Sequence, residues 1–386
     1  MKQLWLGLCL LSACASALAA ETTVRIQYRP GDADFKNITT PAGWCAQSTW
    51  ICGIVPTVDI PITFDKVTEQ GAEDIRNRFF VQLPGKRTVE VTNASGARFK
   101  VDFEFEYFGQ TVLNSPFDLH RNPVYSPSAG PCQVTELAGT MRVTYVWKLA
   151  SSTSPGACYS DGIGAPAGLV QDNQVTRSGA GFKVKAPPPY NMEPGVYMGH
   201  LDYSVGPGGD FDFGNDVTNH PNSVRVNFEY HVLQDFSVKF PANSDRIILE
   251  PPGGWIHWQQ RGAKPPRLYR DVPLRLTSTG PFKFWLYCEF TLGANCGIRN
   301  LRTAQTVPVE TALTLPGTVL LDGRAVERLP VSPTMANTLN MRMAAPVREA
   351  PGQIHYQVSG AALDEMLPNS GDTYEGWIVL IFDARI

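Results

Sequence analysis

The chain has 386 residues, 43% of them hydrophobic, 10% aromatic and 18% charged, so it holds ample material for a buried core and does not read as a disordered tail. Its 33 Lys and Arg against 36 Asp and Glu leave a net charge of -3, which excludes the sign-dominated surface that nucleic acid or an anionic membrane would need. Thirty-four Gly and 31 Pro are too many for a helical bundle and lack the period of collagen; with this length they predict an all-β chain of two domains built from short strands and frequent turns.

The first element is a leader. Met1 and Lys2 precede an apolar run over 4–13 and the small-residue stretch Ala17-Leu18-Ala19-Ala20, the layout of a secretory signal peptide over residues 1–20. A competing reading takes Leu11-Ser12-Ala13-Cys14 as a lipoprotein cleavage box, which would leave Cys14 lipid-bearing. No later segment approaches the ~20 apolar residues that span a bilayer. Cys9 and Cys14 lie in the leader, leaving Cys45, Cys52, Cys132, Cys158, Cys288 and Cys296. An even count in an exported chain predicts disulfides, and the grouping predicts nearest-neighbour pairs: Cys45 with Cys52, Cys132 with Cys158, Cys288 with Cys296. No CxxC step or Cys/His cluster has ligand spacing, so neither a metal nor another cofactor is expected.

Strands follow from period-two alternation. The clearest is Phe99-Lys100-Val101-Asp102-Phe103-Glu104-Phe105-Glu106-Tyr107, with apolar odd positions and charged even ones. Residues 24–28, 141–149, 224–232 and 282–288 alternate similarly, and the best short helix candidate is 68–78. Regular strands punctuated by Gly and Pro predict two sandwiches of immunoglobulin-like type. A Tyr-x-Gly step leading into a late strand occurs at Tyr197-Met198-Gly199 and again at Tyr374-Glu375-Gly376, consistent with two β-domains. The first copy is followed by a Gly-rich stretch over 206–222. The expected division is therefore 21–223 and 224–386, with the junction near 222–232.

The sequence closes on Thr373-Tyr374-Glu375-Gly376-Trp377-Ile378-Val379-Leu380-Ile381-Phe382-Asp383-Ala384-Arg385-Ile386. Tyr374, Ile378, Leu380 and Phe382 share one face of an extended chain, which predicts a buried final strand with no strand after it to cap its edge.

With its leader, the Gly371-Asp372-Thr373-Tyr374-Glu375-Gly376 end, and the steps Gly253-Gly254-Trp255, Arg261-Gly262, Leu268-Tyr269-Arg270-Asp271, Gly280-Pro281-Phe282-Lys283 and Cys296-Gly297-Ile298-Arg299-Asn300, the chain resembles subunits of bacterial chaperone-usher fimbriae. It is most similar in layout to their two-domain tip adhesins and to adhesin-like minor subunits of the enterobacterial fimbrial-like kind. The likeness covers about 224–386 and touches the N-terminal half only in general plan. It implies a C-terminal pilin domain that is an incomplete immunoglobulin fold lacking its last strand. A periplasmic chaperone, and then a neighbouring subunit, would supply that strand by donor-strand complementation at an outer-membrane usher. It also implies Tyr374, Ile378, Leu380 and Phe382 as the assembly groove, export through the periplasm, and a place at the fimbrium tip. Many pilins carry an aromatic residue next to last, where this chain has Arg385. The segment after Glu21 runs directly into Val24-Arg25-Ile26-Gln27-Tyr28, which reads as a domain's own first strand rather than a strand for donation, and so favours the tip.

In that reading the N-terminal domain binds a surface receptor, with a glycan as the expected class. Sugar sites set aromatic rings against apolar sugar faces and fix hydroxyls with polar side chains. Trp44 and Trp50, in a small loop bounded by Cys45 and Cys52, are one candidate; His120 and Arg121 with Tyr125 are another. Both have plainer readings, the indoles as anchors beside a disulfide and the second group as a solvated loop. The alternating acids of Asp210-Phe211-Asp212-Phe213-Gly214-Asn215-Asp216 lack the later Glu and the spacing of a calcium loop and read as a turn. The cations Arg261, Lys264, Arg267 and Arg270 read as a solvated loop. No nucleophile elbow, zinc-protease motif or phosphate-binding loop is present, so an enzyme is not expected. Two other functions fit the same residues: a structural tip adaptor without a receptor, and a free-standing secreted or lipid-anchored binding protein.

Overall fold

The computed structural model describes residues 20–47, 49–113, 132–138, 142–160 and 168–384. Residues 1–19 of the leader, with Cys14 among them, and His120, Arg121, Tyr125, Arg385 and Ile386 lie outside the described residues. The fold is all-β, with two sandwich domains each around its own core. The first core runs from Val24 to Val232 and the second from Leu268 to Leu363. No helix of the described residues is long and apolar enough to cross a membrane.

The first domain is built on one curled twelve-stranded sheet, with the separate two-stranded pair Phe80–Val81 and Cys158–Tyr159 beside it. Its two 16-residue strands, Arg98–Leu113 and Val170–Lys185, pair antiparallel along their length. The first half of Arg98–Leu113 pairs with Arg87–Thr92 and its second half with Arg142–Lys148, so one long strand serves both layers of the sandwich. The alternation of 99–107 is obeyed: Val101, Phe103 and Phe105 are buried and the charged residues between them face outward. From Tyr107 to Val112 both faces are buried, because a short disulfide loop covers the outer one.

The strand Ser223–Val232, expected to open the second domain, belongs to the first. It pairs antiparallel with Gly195–Ser204 and parallel with Ala20–Tyr28. Its buried face of Val224, Val226, Phe228, Tyr230 and Val232 would suit either core; the long-range pairing with the first strand decides between them. The junction therefore follows Val232. The helix expected over 68–78 is also absent. Phe64–Glu69 is a strand, Gly71 turns the chain at φ 71°, and only a single turn of 3-10 helix follows at Ile75–Asn77. That turn is capped by Asp74, whose Oδ1 accepts from the Arg76 amide at 2.9 Å.

Lys66 fixes the Gly-rich return loop. It is 2% exposed, and its ammonium donates to the carbonyls of Asn215 at 2.8 Å and Arg76 at 3.1 Å. Burial pulls this lysine down from its ordinary 10.5 to about 8, with Asp216 and Asp212 opposing the shift. Two of the three acids of this stretch are engaged in hydrogen bonds: Asp210 accepts from Ser204, and Asp212 receives a bidentate pair from Arg76 at 2.9 Å and the amides of Gly208 and Gly214 at 2.8 Å. Burial pushes the Asp212 carboxyl up, but these donors outweigh it and hold it below the usual range.

The second domain packs one layer built on Arg267–Ser278, Val347–Ser359 and Thr306–Thr314 against a five-stranded layer. The latter includes Leu339–Met343, Phe282–Cys288 and, at its end, Ile378–Asp383.

Candidate strand-acceptor groove

The structure joins Cys45 to Cys52, Cys132 to Cys158 and Cys288 to Cys296. The last bond ties the end of Phe282–Cys288 in one layer to Asn295–Asn300 in the other, next to where the terminal strand begins: Ile378 is the register partner of Cys288. The disulfide therefore holds the two layers at a set separation beside the final strand.

That strand pairs antiparallel with Phe282–Cys288 from Ile378 opposite Cys288 to Asp383 opposite Lys283, and among the described residues no strand pairs with its other edge. Ile378, Leu380 and Phe382 point to the core, as their shared face predicts, but are half-buried. For Ile378 and Leu380 the reason is the space next to them: a cavity of about 610 Å³ opens beside the free edge. Its floor is Val272, Ile298, Val309 and Tyr356, one side is Trp377, Ile378 and Leu380, and the other is Phe240, Ile247 and Leu249. Burial pushes the Tyr356 hydroxyl up to about 12, so it faces the cavity neutral at any physiological pH. Asn243, Ser244 and Asp245 put polar groups at the rim. An apolar slot alongside unpaired backbone N–H and C=O groups offers an extended peptide a ladder of hydrogen bonds and pockets for alternate side chains.

Tyr374 departs from the expected set. Tyr374–Glu375 is a separate short strand paired with Arg299 and Asn300 in the opposite layer, and the tyrosine hydroxyl donates to Gln305 Oε1 at 3.0 Å. The chain changes layers between Glu375 and Ile378, so the period-two face read through both segments is broken and Tyr374 does not line the cavity.

The far wall was not visible in sequence. Lys239 pairs with Arg275 and Glu250 bridges Tyr269, so residues 240–249 span what 270–274 span opposite, ten residues against five. The surplus cannot stay in register and swings away from the sheet, carrying Ile247 and Leu249 to the cavity. The only local signal was the apolar triplet Ile247-Ile248-Leu249 between Pro241 and Pro251.

In the first domain the two indoles separate. Trp44 is 0% exposed and lies flat across Gly109 and Gly179, where an added Cβ would fall 2.7 and 2.6 Å from the ring. It anchors the loop with Ala42, Ile51, Tyr107 and Val146 and presents no surface to a receptor. Trp50, on the short helix Thr49–Ile54, is 52% exposed, with Ile54 also outward.

No family model matches this sequence, and no curated protein matches it. Among solved structures the chain is similar to the crystal structure of the CsuC-CsuE chaperone-tip adhesion subunit pre-assembly complex from archaic chaperone-usher Csu pili of Acinetobacter baumannii, at 10% identity over 95% of this chain and 99% of that one. The TM-score is 0.23.

Proposed function

We propose that the protein is a subunit of a chaperone-usher surface fibre, a tip adhesin or adhesin-like minor subunit, completed by a strand received from a partner. The observation that carries this reading is the terminal strand Ile378–Asp383, unpaired along one edge and flanked by an apolar cavity of about 610 Å³. A periplasmic chaperone would occupy the groove first, and a neighbouring subunit would replace it at an outer-membrane usher, bringing the chain to the cell surface. The first strand, Ala20–Tyr28, is held between Ser223–Val232 and Lys36–Asn37, which supports the tip reading because a strand built into its own sheet is not free to be given away. The N-terminal domain would then carry the receptor site, a glycan being the class to test, with Trp50 as its exposed aromatic.

The test is thermal unfolding of the full mature chain with increasing amounts of a peptide of alternating apolar residues. A ligand that binds only the folded state stabilises it by about 2.7 kcal/mol at a hundredfold excess over Kd. A rising melting temperature that follows this dependence supports the reading, and a chain equally stable at every peptide concentration refutes strand addition. A glycan array probed with the peptide-completed chain then separates an adhesin from an adaptor.

A further inference from the structure

The two domains meet through three residues, 233–235, a span of about 10 Å when extended. A connection of that kind ordinarily lets domains turn against each other. Here each residue is tied. The Leu233 amide donates to the Tyr28 carbonyl of the first domain at 2.9 Å. The Asp235 amide donates to Thr279 Oγ1 of the second at 2.8 Å, and the Thr279 amide returns a bond to the Asp235 carbonyl at 3.1 Å. Between them, Gln234 is 9% exposed and its Nε2 donates to the Met192 carbonyl of the first domain at 2.5 Å. The same amide fills the place of a side chain at Gly280 in the second domain, where a Cβ would fall 1.7 Å from Nε2. Gly280 thus needs its lack of a side chain for space rather than for backbone conformation, and its carbonyl is held by the buried Ser278 hydroxyl at 2.7 Å. Beside this contact Tyr190, from the turn that precedes Met192, packs against the second core.

We propose that Gln234 is a latch that fixes the two domains as one body, and that its withdrawal is the local event that frees them to turn about the linker. The chemistry suits a reversible catch: a neutral amide, one donated hydrogen bond, and a socket made by one glycine. In the latched state the orientation of the N-terminal domain is set from the C-terminal one, whatever fills the groove.

The test is pulsed electron resonance on the full mature chain, without the leader and its Cys9 and Cys14, carrying nitroxides at Lys100→Cys and Arg324→Cys, one exposed position in each domain; the other six cysteines are all paired, so only the added thiols take label. The unaltered junction is expected to give one narrow distance. Gln234→Glu keeps the volume and removes the donor, while Gly280→Ala fills the socket; each is expected to at least double the width of the distribution. A broad distribution with the junction unaltered overturns the proposal without reference to any variant. So does a width unchanged in both variants when circular dichroism shows them folded. If either variant fails to fold, the other and the unaltered width still decide.

Discussion

Leu380 offers the sharpest test of the groove, because one side chain contributes to the free chain and to the completed one by different amounts. Burying a leucine fully is worth about 1.5–3 kcal/mol. Leu380 is half-buried between its register partner Leu286 and the cavity, so Leu380→Ala is expected to cost the free chain about 1 kcal/mol. The other half leaves water only when a strand covers the slot, which adds about 1 kcal/mol to binding, or roughly fivefold in Kd. Leu380→Asp puts a carboxylate in a covered apolar slot with no cation to meet it, at a cost of several kcal/mol. Its donor affinity should fall by more than about a hundredfold, and the chain should fail to accumulate in the periplasm. The assay is calorimetric titration of an alternating apolar peptide, with unfolding of each variant measured alone. If Leu380→Ala lowers stability yet leaves peptide affinity unchanged, or Leu380→Asp accumulates normally, the slot beside the terminal strand is not the acceptor site.

Other expected outcomes follow from single contacts. Trp44→Ala should cost about 3–5 kcal/mol by emptying the space over Gly109 and Gly179, whereas Trp50→Ala should change stability by less than about 1 kcal/mol and lower receptor binding if its face is the site; thermal melts and array binding read the two separately. Chain entropy assigns the Cys132–Cys158 bond, with a sequence separation of 26, about 3.5 kcal/mol, and each bond of separation 7 or 8 about 2.5 kcal/mol, so single Cys-to-Ser pairs should rank in that order in urea unfolding. Lys66 loses its proton near pH 8 when folded and near 10.5 when unfolded, so the unfolded chain binds more protons in between and stability should rise with pH from 8, by up to about 3 kcal/mol. Burial raises Tyr197 and Tyr356 to about 12 and Tyr203 and Tyr230 further, so stability they supply is lost above pH 10. The rise is therefore sought between pH 8 and 9.5, and Lys66→Met should abolish it; an equal slope in the variant would assign the effect to another group.

What the sequence disclosed was governed by local periodicity. The all-β class, the strands around Phe103 and Phe228 and the inward set Ile378, Leu380 and Phe382 all rest on side chains alternating along one segment. Features that rest on pairing between distant segments were hidden. Ser223–Val232 alternates as well in one domain as in the other, and its parallel partner lies some two hundred residues earlier. Tyr374 keeps the period of the terminal strand across a change of layer that two-residue spacing cannot register. The wall at 240–249 arises from a surplus of residues between two anchor points, a quantity absent from any single segment. Trp44 and Trp50 are alike in sequence, and only the paired glycines of two distant strands determine which of them is buried.

The terminal strand also has a consequence beyond its groove face. Val379 is exposed on the opposite face, next to an exposed Trp377, and Val379 has Tyr287, itself outward, as its register partner. A run apolar on both faces is the composition of a strand that ends up covered, and leaving such a strand at a free edge invites pairing with other copies. The surplus residues of 240–249 do not relieve this, because they stand off across the cavity and form no strand beside Ile378–Asp383. A segment from another molecule, as the proposed role requires, would satisfy both the backbone edge and the apolar slot, so partner-dependent stability, more than the shape of the sandwich, is the property on which that role depends.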